Sequence, residues 1–124
     1  MKQVLQETID YYGADPSRRA ITVDGVCSYS TGYGRYCAVG RCLTPSGLNK
    51  VTEGDPASMV LAYLPLNGVK KKYRPLIGYH GFWNALQMLH DDSCFWEEEG
   101  LSAEGKREVA RISEKIGGGA FTKQ

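Results

Sequence analysis

The sequence predicts one α+β domain over residues 1–124, with three to five helices packed on a small antiparallel β-hairpin. Three observations point there. Apolar side chains recur at helical spacing near residues 4–12 and again near 82–89. Between them, β-branched residues and paired glycines punctuate an extended, turn-rich segment. A chain of 124 residues can bury a single core without help from disulfides or metal.

The first helix carries Val4, Leu5, Thr8, Ile9 and Tyr12 on one face and stops near Gly13. "GADPSRR" then reads as a turn, because Pro16 restricts its own φ and the conformation of Asp15. Residues 26–30 and 35–39 are expected to pair as the hairpin around "STGYGR", where Gly32 and Gly34 can take positive φ. The alternative is a short helix beginning at Cys37. "TPSGLNKVTEGDP" is loop, and Asp55-Pro56 is expected to cap a helix over "ASMVLAYL" that Pro65 closes. "NGVKKKYRP" reads as an exposed basic connection.

The strongest helix follows. Phe82, Leu86 and Leu89 share a face, with Trp83 and His90 on its flank. Cys94 continues that flank unless Asp91-Asp92-Ser93 ends the helix and caps another. A last helix starts at Ser102, runs through Val109, Ile112 and Ile116, and ends at "GGG", leaving "AFTKQ" as a frayed tail.

Charge is nearly balanced at +1, but residues 1–90 hold ten Lys/Arg and six Asp/Glu whereas residues 91–124 hold five and eight. That is no nucleic-acid-coating composition, and "KKKYR" at 70–74 reads more readily as a solvated run than as a phosphate contact. No apolar run approaches the roughly 18 residues that span a bilayer. The amphipathic, acid-containing start is unlike a signal peptide, so a cytoplasmic location is expected, with thiols rather than disulfides.

"CSYSTGYGRYCAVGRC" holds three of the four cysteines. The spacing Cys27-x9-Cys37-x4-Cys42 offers one loose pair and no second knuckle, so no metal site is expected, and no cofactor. Cys37 beside Arg35 could form a thiolate, with His90 as base. Asp91, however, follows His90 directly, and helix neighbours point about 100° apart, a poor placement for orienting the imidazole. A thiol-dependent hydrolase or transferase using Cys37 and His90 is therefore the alternative, and the expectation leans away from an enzyme.

The favoured site is a ligand platform. Tyr29, Tyr33 and Tyr36 offer flat faces, while Arg35 and Arg41 offer planar forks for phosphate or carboxylate. His90 and Asp91 would face them across a cleft. The packing-only alternative makes Tyr29 and Tyr36 cross-strand partners and His90 a half-buried imidazole.

The residues Cys27, Tyr29, Gly34, Cys37, Ala38, Val39 and Gly40, followed by Leu86, Gln87, His90, Asp91 and Trp96, form two motifs. The pair resembles a small, largely uncharacterised bacteriophage and bacterial family with Cys-x-Tyr…Gly-x-x-Cys-Ala-Val-Gly and Leu-Gln-x-x-His-Asp. It covers roughly residues 27–43 and 82–101, and Cys42 falls outside the pattern. The resemblance implies a phage accessory protein that blocks or sequesters something in the host cytoplasm. The expected function is a non-enzymatic binding protein for a small anionic, nucleotide-like ligand, or an inhibitor of a host defence protein, which could assemble as a homo-oligomer. A protein-interaction module without a small-molecule site is the third reading.

Overall fold

Helix α1 (Lys2–Ala14) forms on the expected apolar stripe, in a computed structural model that describes residues 1–19 and 36–124. Val4, Leu5, Thr8 and Tyr12 are buried, and the Thr8 hydroxyl donates to the Val4 carbonyl at 2.8 Å. The turn after it is a 3₁₀ turn, Pro16–Arg18, in which Asp15 accepts from the Ser17 N–H at 3.0 Å.

The expected hairpin falls mostly outside the described residues. At its described end Tyr36 is a β-bridge residue, and residues 37–39 are not strand. The backbone after Cys37 turns into a 3₁₀ turn, Gly40–Cys42, so the alternative of a short helix beginning at Cys37 is met only by this later three-residue turn. Arg41 N–H donates to the Cys37 carbonyl at 3.0 Å and Cys42 N–H to that of Val39 at 2.8 Å. The physical reason is burial. Cys37, Ala38 and Val39 are all at most 1 % exposed, and consecutive strand residues facing opposite sides do not bury that way at a sheet edge.

Next comes the short helix α2 (Pro45–Leu48), capped by Thr44. An antiparallel bridge, Leu43 to Val69, clasps this region to the distant loop. Thr44 N–H donates to the Gly68 carbonyl and Lys70 N–H to the Cys42 carbonyl, each at 2.9 Å.

Helix α3 (Ala57–Tyr63) begins one residue later than the Asp55 cap implies, with Pro56 at the cap position and no side-chain cap bond. Instead, the Ser58 N–H donates to Asn84 Oδ1 at 3.2 Å, so a side chain of the next long helix supplies the acceptor. The basic connection is likewise more ordered than expected. Lys71–Leu76 is a 3₁₀ segment, and Tyr73 within it is buried.

Helix α4 (His80–Asp91) is the centre of the fold. Phe82, Trp83, Leu86, Leu89 and His90 are all 0 % exposed, so the flank predicted for Trp83 and His90 is core. Each such apolar side chain contributes about 1.5–3 kcal/mol on leaving water. Trp83 Nε1 donates to the Leu76 carbonyl at 2.9 Å, satisfying the one polar atom the ring carries inward. The helix does break after Asp91: Asp92 caps a 3₁₀ turn, Ser93–Phe95, which leaves Cys94 exposed.

The two-stranded antiparallel hairpin lies here, with β1 (Trp96–Glu97) pairing β2 (Gly100–Leu101) in the register Trp96↔Leu101. Gly100 sits at φ +134 against the end of α1, a conformation side-chain-bearing residues rarely adopt. The α+β class therefore holds, and among the described residues its hairpin lies in the second half of the chain. Helix α5 (Ala103–Gly117) starts at the expected Ser102 cap, whose hydroxyl accepts from Gly105 N–H at 3.0 Å. The tail is docked rather than frayed. Phe121 packs edge-on to Phe82 at 5.8 Å, and Gln124 N–H donates to the Gly78 carbonyl at 2.9 Å.

Candidate functional site

Two of the predicted site residues, Tyr36 and Arg41, line one cavity of about 300 Å³ with Tyr11, Gly40, Leu43, Pro45, Leu48 and Lys70. Helix α1 brings Tyr11, the 3₁₀ turn brings Arg41, and the clasp to Lys70 closes the far side. Tyr36 is held because its carbonyl accepts the hydroxyl of the buried Tyr12.

Arg41 is unusual among the cations. Its Nη1 donates to the Tyr73 hydroxyl at 3.2 Å, while among the described residues buried Nε and Nη2 have no acceptor and the buried Glu7 Oε2 has no donor. Burial works against its charge, but the neighbouring Cys42 and Tyr73 outweigh that and raise its pKa further. The Tyr73 hydroxyl donates in turn to Glu7 Oε1 at 3.1 Å, where Lys72 also binds. Burial would raise the Glu7 pKa, yet the Lys72 and Tyr73 bonds dominate and hold it below the usual value. Tyr11 lies between cations: its ring centroid is 4.8 Å from Arg18 Cζ and 5.7 Å from Arg41 Cζ.

The other predicted pair lies elsewhere. His90 is buried in the core, and Asp91 lines a groove of about 410 Å³ with Pro56, Ala57, Asn84, Gln87, Met88 and Asp92. The segments near residues 37–39 and 87–91 do meet. Val39 N–H donates to Gln87 Oε1 at 3.2 Å, and Gln87 Nε2 donates to Asp91 Oδ1 at 2.7 Å. Asp91 Oδ1 also lies 2.7 Å from His90 Nδ1. This corrects the expectation that Asp91 cannot orient its own neighbour: a carboxylate that only accepts places the imidazole proton on Nδ1. Arg19 locks the same corner, donating from Nε to the His90 carbonyl at 2.7 Å and from Nη2 to that of Asp91 at 3.0 Å. Tyr29, Tyr33 and Arg35 lie outside the described residues.

Burial pulls the His90 pKa below 6.5, against the opposing pull of Asp91 and with a smaller push from Arg19. The unfolded chain therefore takes up this proton first on acidification. The contribution of His90 is fully present above about pH 6.5 and is lost as pH falls through the folded value. We expect stability to decline below pH 6.5 with a slope bounded by one proton, about 1.4 kcal/mol per pH unit. Glu7, held below 4.5, acts only in a lower window. Urea titrations across pH 5–8 check this, and the slope between 5 and 6.5 should vanish in His90→Gln.

The thiols are poorly suited to attack. Cys37 is 1 % exposed, its sulfur accepts from Gly40 N–H at 3.1 Å, and burial pushes its pKa up to about 12. Burial pushes Cys42 equally to about 12. In the native protein at pH 7.5, iodoacetamide is expected to leave Cys37 unmodified for hours; alkylation within minutes would show a thiolate. Among the described residues no group of three or more His, Cys, Asp or Glu could hold a metal ion, and no helix is long and apolar enough to cross a membrane.

Tyr11 and Lys70 are the cavity residues that sequence reasoning missed. Lys70 begins the basic run noted in the sequence; Tyr11 carries no local signal, since its place depends on α1 meeting the 3₁₀ turn. Comparison with protein-family models, curated proteins and solved structures finds no match to this chain.

Proposed function

We propose that this chain is a non-enzymatic binding protein for a small anionic ligand carrying a flat ring, held in the Arg41 cavity. One observation carries the reading: two cations, Arg41 and Lys70, line one cavity with Tyr11 and Tyr36, and Arg41 Nε and Nη2 have no acceptor among the described residues. Buried charged donors without acceptors are costly, and proteins seldom retain them without a use. An oxyanion in the cavity would offset the two positive charges, and a tyrosine would cover the ring. The resemblance to a bacteriophage and bacterial family favours an accessory role in the host cytoplasm, namely sequestering such a ligand.

Thermal unfolding with a panel of nucleotides and aromatic acids tests this. A ligand at a hundredfold excess over Kd stabilises the folded state by about 2.7 kcal/mol, a rise of roughly 5–15 °C for a domain of this size. Anionic members should raise the melting temperature where neutral nucleosides do not. If no anion shifts it, the reading fails.

A further inference from the structure

The two motifs singled out in the sequence meet at one side chain. Val39 belongs to the first, and Gln87, His90 and Asp91 belong to the second. Val39 leads into the 3₁₀ turn with helical backbone angles, φ −80 and ψ −42. N–H groups at the start of such a turn have no acceptor within it. The Cys37 sulfur takes that of Gly40, and Gln87 Oε1 takes that of Val39 at 3.2 Å. Val39 is fully buried, so bulk water cannot replace this acceptor.

The sense of the Gln87 amide is fixed from both sides. The Val39 N–H only donates and therefore selects the amide oxygen. The Asp91 carboxylate only accepts, so its Oδ1, at 2.7 Å, selects the amide nitrogen. Turned over, the amide would set donor against donor at Val39 and oxygen against oxygen at Asp91. The same Oδ1 lies 2.7 Å from Nδ1 of the buried His90, which ties it to the core.

Beyond Val39 the turn moves as a unit. Arg41 N–H donates to the Cys37 carbonyl, Cys42 N–H to that of Val39 and Leu43 N–H to that of Gly40. A shift of Val39 therefore carries Gly40, Arg41 and Leu43 with it, and all three line the Arg41 cavity. The Tyr12 hydroxyl holds the leading end of the unit through the Tyr36 carbonyl, and Lys70 N–H holds the trailing end through the Cys42 carbonyl. Gln87 holds its middle, from α4.

Resting on the anion-binding reading above, we infer that Gln87 is a positioning residue of the Arg41 cavity, with its amide set by Asp91 and its oxygen holding the turn that delivers Gly40, Arg41 and Leu43. Gln87 itself lines the neighbouring groove, so it acts through Val39 and not by touching the anion.

Two readouts on the full chain test the inference, and the first needs no ligand. Gln87→Met keeps the length of the side chain and removes the acceptor. Hydrogen exchange followed by NMR should show the Val39 N–H exchanging about tenfold faster or more, with the buried Ile112 of α5 unchanged as the reference. Calorimetry with adenosine monophosphate and 4-hydroxyphenylacetate as probes should show the tighter of the two weakened by about fivefold or more. Asp91 separates positioning from charge. Asp91→Asn keeps an oxygen for Gln87 and removes the negative charge, whereas Asp91→Ala removes both. Asn should hold exchange and affinity within about twofold of the unaltered chain, and Ala should reproduce the losses of Gln87→Met. A field effect of the carboxylate would instead raise anion affinity in both. Unchanged exchange at Val39 in Gln87→Met, or equal acceleration at Ile112, would overturn the inference. Faster exchange with affinity unchanged, or equal losses in Asp91→Asn and Asp91→Ala, would do the same. If neither probe binds the unaltered chain, the anion reading falls, and the exchange comparison alone decides whether Gln87 holds the turn.

Discussion

Gly47→Ala is expected to lower the unfolding midpoint by roughly 10–15 °C, since overpacking at a rigid contact costs about 3 kcal/mol. A Cβ on Gly47 would stand 2.0 Å from the Gly68 carbonyl oxygen and 2.8 Å from its carbon. Both are backbone atoms, so no side chain can swing away. The carbonyl cannot retreat freely either, because it accepts the Thr44 N–H at 2.9 Å. Relief requires opening the clasp between residues 42–44 and 68–70, and that clasp carries Leu43, Pro45, Leu48 and Lys70, four of the residues around the Arg41 cavity. Ligand affinity should therefore fall with stability. Gly13→Ala is the control. The chemical change is the same, but a Cβ there meets nothing within 4 Å and the position is helical, so it should stabilise by about 0.5–1 kcal/mol. Midpoints for Gly47→Ala within 2 °C of the unaltered chain would mean that α2 does not rest on Gly68.

What could be read from the sequence divides along the range of the interactions involved. Helices α1 and α4 were legible because their apolar stripes run over three turns, long enough for periodicity to speak. Ser102 was legible because a cap is a local bargain between one hydroxyl and the N–H groups just after it. The hairpin at 96–101 was not. Two-residue strands have no period, and what holds Trp96 at their start is a tertiary bond, its Nε1–H on the Leu89 carbonyl at 2.8 Å. Asp91 was misjudged for a different reason. The 100° between helix neighbours describes Cβ directions, whereas a carboxylate two bonds further out can reach back to the adjacent ring, and Gln87, one turn earlier, holds it there. The cavity itself is a product of tertiary convergence. Tyr11, Arg41 and Lys70 are separated by about 30 residues each, and nothing in their local sequence announces that they meet.

Arg41→Met separates stability from binding. We expect at least a hundredfold loss of affinity, about 2.7 kcal/mol, for the anion that most raises the melting temperature, with a ligand-free protein that unfolds at or above the midpoint of the unaltered chain. The affinity loss follows from removing one of the cavity's two positive charges. The stability gain follows from what Arg41 costs when empty. Its Nε and Nη2 have left water and have no acceptor among the described residues, and a well-packed apolar side chain in place of such a buried ion is often neutral or stabilising. Methionine is unbranched and flexible enough to follow the same path. Little else is forfeited: the Tyr73 hydroxyl still donates to Glu7, and Glu7 keeps Lys72. A residue that weakens the fold and strengthens the complex is what a binding site requires and a structural ion pair does not. If the substitution instead costs several kcal/mol without ligand present, then Arg41 holds the fold together, its edge is satisfied within the protein, and the cavity loses its reason to bind an anion.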